Sequence, residues 1–123
     1  MRLASGITLL NVLVASGFAI AGLIKPEAML PAGVVPTEAS VVFALYAAAR
    51  TLPLAIAIVI AIARRATSAL IVLGLLAGFI QFVDAAVGLY QHDLGKTVGP
   101  LVLGALQLYA VALFRKNASS AVV

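Results

Sequence analysis

The chain has 123 residues, of which 64% are hydrophobic and 10% charged, and no cysteine. Soluble domains run nearer half apolar and about a quarter charged, and a fold this small has too much surface to cover with so few charges. The composition therefore argues for lipid as the solvent, and the absent cysteines exclude disulfides, thiolate metal sites and cysteine catalysis. The net charge of +4 does not point to nucleic acid. The basic residues stand at the ends of apolar runs, where orientation in a membrane calls for them, and form no single face.

Four apolar runs follow one another, at about residues 3–24, 41–63, 66–90 and 98–114. Each approaches the ~20 residues a helix needs to cross a bilayer, and a spanning helix satisfies its own backbone hydrogen bonds where lipid cannot. Lys25-Pro26 stops the first run. Thr37 is placed to cap the second, Thr67 or Ser68 the third, and Thr97 the fourth, with Pro100 in its first turn. The competing reading of run one as a secretory signal rests on Ala19-Ile20-Ala21, but the apolar stretch is long for a signal. The connection at residues 25–37 carries three prolines and reads as a stiff connector or as a lid over the outer mouth. Gly74 and Gly78 form a small-residue packing motif, which serves a neighbouring helix of the chain or a second copy in a homo-oligomer.

Lys and Arg set the orientation. Arg2, the pair Arg64-Arg65, and Arg115-Lys116 alternate along the chain with loops that hold one lysine each, Lys25 and Lys96, beside Glu27, Glu38 and Asp93. Positive charge faces the cytoplasm. The expected fold is all-α: one integral domain, a four-helix transmembrane bundle running up-down-up-down in the cell membrane, with both termini cytoplasmic.

The stretch of residues 81–96, QFVDAAVGLYQHDLGK, holds the most chemistry. At ~1.5 Å per residue, Arg50, Gln81 and Gln107 each lie roughly 13 Å below the outer surface, Asp84 roughly 9 Å and Ser16 roughly 12 Å. Asn11 lies deeper and is read as facing the interior independently. An ionisable residue within a membrane is by default a functional hypothesis with a partner to be named. The natural pair is Asp84 with Arg50, Tyr46 lying one turn above Arg50 on the same face. Asp84, Arg50 and Tyr46 are thus the candidate catalytic group. Gln81, Gln107, Ser16 and the mouth residue His92 are the candidate ligand contacts. One histidine and scattered carboxylates make no metal ligand set, and no cofactor is implied.

The pattern resembles the DoxX-like superfamily of small four-helix membrane proteins, through Gly22-Leu23 with Pro26, through Tyr46-Ala47-Ala48-Ala49-Arg50, and through Asp84, Gly88-Leu89, Gln91-His92-Asp93 and Lys96. The resemblance implies a four-helix bundle and a lipophilic partner such as a quinone. The expectation is a protein that binds a quinone, isoprenoid or lipid at a polar site in the outer half of the bundle, as a binding protein in its own right or as an accessory subunit. Two alternatives stand beside it. One is a cofactor-independent membrane enzyme of isomerase, cyclase or hydrolase type, using Asp84 as acid or base oriented by Arg50. The other is a structural or assembly subunit.

Overall fold

The computed structural model describes residues 1–121. Its long elements are four α-helices, α1 (Arg2–Ile24), α2 (Glu38–Ala63), α3 (Thr67–Tyr90) and α4 (Leu94–Ser120), with a short 3-10 helix at Pro26–Met29. Each long helix is long and apolar enough to cross a membrane, which points to a multi-pass membrane protein.

The distribution of side chains suits lipid. Large apolar groups stand outside: Phe43 is 71% exposed, Leu13 62% and Phe79 62%. The buried positions are dominated by small residues, with Ala4, Ala48, Ala61, Ala77, Ala85 and Ala110 all inside. Without a hydrophobic drive between helices in lipid, close backbone approach through small residues supplies the packing.

The helices pack in a ring, α1 on α2, α2 on α3, α3 on α4 and α4 on α1, with α3 and α4 in the most extensive contact and α2 and α3 in the least. The glycines explain the tight seam. A Cβ at Gly74 would meet the Val111 side chain at 2.8 Å and the Gln107 amide at 2.9 Å, and one at Gly78 would meet Leu108 at 3.2 Å. One at Gly104 would meet Phe82 at 3.2 Å. Gly74 and Gly78 therefore serve α4 of the same chain, and that face is not free for a second copy.

At one end Ala4, Ala61, Leu70, Ala110 and Phe114 form a buried cluster, beside the basic residues Arg2, Arg64, Arg65, Arg115 and Lys116. At the opposite end the loop of residues 25–37 lies near the α3–α4 turn. Two turns join the helices in the same way. After α2, Arg65 N–H bonds Ile62 O and Ala66 N–H bonds Ala61 O. After α3, His92 N–H bonds Leu89 O and Asp93 N–H bonds Gly88 O. Both are Schellman closures, which need a left-handed residue, here Arg65 at φ 51° and His92 at φ 56°.

The helix starts differ in part from the expected caps. Thr37 does cap α2, in a capping box with Ser40. Ala66 precedes α3 without a side-chain cap. Asp93, not Thr97, caps α4, its carboxylate accepting from Lys96 N–H. The helix thus begins four residues before Val98, Thr97 bonds back to Asp93 O at 2.7 Å, and Pro100 sits in the second turn rather than the first. A Cβ on Gly88 would collide with the Lys96 carbonyl and come within 2.7 Å of Thr97 N, so only glycine lets the α3 end pass under α4. The two turn positions have opposite expected outcomes in thermal unfolding in detergent followed by helical circular dichroism. Gly88→Ala costs about 3 kcal/mol, whereas His92→Gly relieves the left-handed backbone and gains about 1 kcal/mol.

Candidate functional site

The centre of the bundle is polar and neutral. Thr8 and Asn11 on α1 are one turn apart, and with Gln81 on α3 and Gln107 on α4 they are the buried polar residues, each at most 4% exposed. Gln81 Nε2 donates to Asn11 Oδ1. Asn11 Nδ2 donates to Gln107 Oε1 at 3.2 Å. Gln107 Nε2 donates to Thr8 Oγ1 at 3.2 Å. Among the described residues no buried side-chain nitrogen or oxygen lacks a hydrogen-bond partner. The chain of amides runs in one direction across three helices and ends on a hydroxyl. Its groups face one another, so its chemistry is that of a clasp.

Of the polar layer expected from the sequence, the structure brings together Gln81 and Gln107 alone. Asn11 joins them, and Thr8 was missed. The signal for both was present, since Thr8 and Asn11 are the only polar side chains between Ser5 and Ser16 and share a helical face at a spacing of three. Ser16 is half-buried and takes no part.

The expected Arg50–Asp84 pair does not form. Arg50 and Asp84 are both exposed. Arg50 Nη1 donates to the Tyr46 carbonyl of its own helix at 3.3 Å, and the guanidinium carbon lies 5.5 Å from the Tyr46 ring centroid. The one ion pair among the described residues is Lys96 with Asp93 at 3.5 Å. Helical phase explains the separation. Phe43, seven residues before Arg50, lines a groove shared with α1. Ala77, seven residues before Asp84, belongs to the buried cluster it forms with Ile58 of α2 and Val12 of α1. At ~100° per residue a spacing of seven returns to within ~20° of the same face. Arg50 thus lies on the α1 side of α2, Asp84 lies in the α2–α3 seam, and α2 stands between them.

His92 is exposed in its turn, and its neighbours carry the structure there. Gln91 Nε2 donates to Met29 O at 3.1 Å. The Lys96 ammonium donates to Leu30 O at 3.2 Å and Gln91 Oε1 at 3.3 Å, and it pairs with Asp93 Oδ2 at 3.5 Å. The hydrogen bond from the Lys96 backbone N–H, reinforced by the Lys96 charge, holds the Asp93 carboxyl below its ordinary value of 3.8.

The clamp fixes the 3-10 segment over a groove of about 280 Å³ between α1 and α2. Phe18, Ala19 and Gly22 form one wall, Ser40, Phe43, Ala44 and Ala47 the other, and Pro26, Met29 and Leu30 the roof. Its single polar side chain, Ser40, is committed to the α2 cap, donating to Thr37 O and accepting from Thr37 N–H, both at 2.7 Å. What the groove can hold is therefore apolar.

The sequence matches no protein-family model, and comparison with curated proteins and with solved structures gives no match either.

The amide clasp and the neighbouring Ser16 predict different responses to substitution. Gln107→Leu leaves Asn11 Nδ2 and Thr8 Oγ1 without their partner and lowers stability by about 1–3 kcal/mol. Ser16→Ala changes it by less than ~0.5 kcal/mol. Equilibrium unfolding of both variants in mixed micelles measures the difference.

Proposed function

We propose that this chain is a four-span protein of the cell membrane that binds a lipophilic small molecule in the groove between α1 and α2. The helices run up-down-up-down, with both termini and the Arg64-Arg65 turn in the cytoplasm. The orientation rests on the charge pattern: five basic side chains and no carboxylate mark one end, whereas Lys25 and Lys96 share the other with Glu27, Glu38 and Asp93. The observation that carries the binding reading is the groove itself. It is roofed by a segment that Gln91, just after α3, and Lys96 of α4 hold in place, and its volume of about 280 Å³ falls just short of the ~300–1,000 Å³ of small-molecule pockets, the size of a partial site for one apolar chain.

The occupant is the apolar part of an amphiphile, such as a lipid, isoprenoid or quinone tail, because the walls offer no free polar side chain. The DoxX-like resemblance belongs to this reading and favours the same ligand class. The enzymatic alternative loses the pairing it was built on, since among the described residues the one ion pair is Lys96 with Asp93 and Arg50 does not reach Asp84.

Mass spectrometry of protein extracted in mild detergent tests the binding. The expected result is a co-purified apolar molecule whose amount falls at least about tenfold in Ala47→Phe, where the new ring fills the groove; equal retention by the variant would sink the proposal. Orientation is tested separately. The chain has no cysteine, so Ala32→Cys and Ser120→Cys each carry one thiol. A membrane-impermeant reagent is expected to label the first in intact cells, and the second only after the cells are opened.

A further inference from the structure

Arg50 and Asp84 are the charged residues that the spans leave unaccounted for. Arg50 is 13 residues from Ala63 in α2, and Asp84 is 17 residues from Thr67 in α3. At ~1.5 Å per residue they stand ~20 Å and ~26 Å from the basic-end turn. The guanidinium reaches towards Tyr46 O, away from that turn, which narrows the difference. Both are exposed, so in a monomer both would meet lipid, where a charge is costly unless it is paired or hydrated. The exposed face of α2 lies between them, with Ala49, Pro53, Ile56 and Ile60 on it. Pro53 has no N–H, so the Ala49 carbonyl on this face also lacks its helical donor.

We propose that this face is the contact between two copies of the chain, and that Arg50 of each copy pairs with Asp84 of the other. The arrangement follows from symmetry. When two copies with the same orientation pack about a two-fold axis along the membrane normal, a residue on one side of the axis meets the partner's residue on the other side at the same depth. Arg50 and Asp84 flank α2 on opposite sides at similar depth, with charges of opposite sign. An axis over the α2 face brings them together twice, and both charges leave lipid in one step. Ala49 and Pro53 beneath the axis keep the face low enough for two helices to approach closely. The inference does not depend on the groove being occupied.

The test uses Ser120→Cys as the background, labelled with donor or acceptor dye and reconstituted in phosphatidylcholine vesicles. Energy transfer above that of randomly placed chains reports the dimer. Arg50→Gln and Asp84→Asn are each expected to weaken association by about thirtyfold or more. An equimolar mixture of these two variants is expected to recover transfer, because a heterodimer keeps one complete Arg50–Asp84 pair while either homodimer keeps none. The double exchange Arg50→Asp with Asp84→Arg restores both pairs and is expected to associate again. Transfer no greater than chance in the parent chain would overturn the proposal. So would single variants that associate like the parent, or a mixture no better than its components. Asp84→Asn keeps side-chain size and Arg50→Gln shortens it without adding bulk, and helical circular dichroism of each separates a lost contact from a lost fold.

Discussion

Three hydrogen bonds through the middle of an apolar bundle decide where three of the four helices sit. Gln81, Asn11, Gln107 and Thr8 come from α3, α1 and α4, and each amide has its next partner on a different helix. Interhelical hydrogen bonds in membranes contribute on average only ~0.6 kcal/mol each, so together they supply about 2 kcal/mol. Their larger effect is on the alternatives. Sliding or rotating any of the three helices would strand at least one amide in a dry interior, at ~1–3 kcal/mol for each group left unpaired. The clasp therefore acts on register more than on total stability, and the glycine seam between α3 and α4 supplies the close packing around it.

Helix α2 has no side chain in the clasp. It is held by Ile58, which shares a buried cluster with Val12 of α1 and Ala77 of α3. The features that look functional collect around it: the groove on its α1 side, the open seam with Asp84 on its α3 side, and an exposed proline between. A helix excluded from the central hydrogen bonds can be spaced from its neighbours without orphaning a polar group.

The four long helices were legible because lipid imposes a simple rule, some twenty apolar residues bounded by charge or proline, and all four are long and apolar enough to cross a membrane. Thr37 was readable as a cap, since a threonine before an apolar run with Ser40 three residues on offers two local hydrogen bonds. Asp93 was not, because its role as the α4 cap depends on the chain turning at His92 in a left-handed conformation that a histidine does not advertise. The polar layer was legible in depth but not in azimuth. Counting residues from the ends placed Gln81, Gln107, Arg50 and Asp84 at comparable heights. Which of them face one another depends on the rotation of each helix, and four helices dominated by alanine, leucine and valine carry little periodic contrast to set it. The groove was still less legible, because it is made by the 3-10 segment closing over residues of α1 and α2 that are far apart in the chain.

The separation of Arg50 from Asp84 changes what the two charges can mean. Paired within one chain, they would satisfy each other and fix a register, as buried ion pairs sometimes do, and the outer surface of the bundle would be uniformly apolar. Such a surface has no means of distinguishing one neighbour from another. With α2 between them, neither charge has a counter-charge among the described residues, at a place where lipid cannot provide one either. The cost of an unpaired charge in the membrane then becomes a condition on what lies against the α2 face. Any neighbour there must present an acid near Arg50 and a base near Asp84, at heights set by the helices themselves. A second copy of the chain meets both requirements through the same two residues.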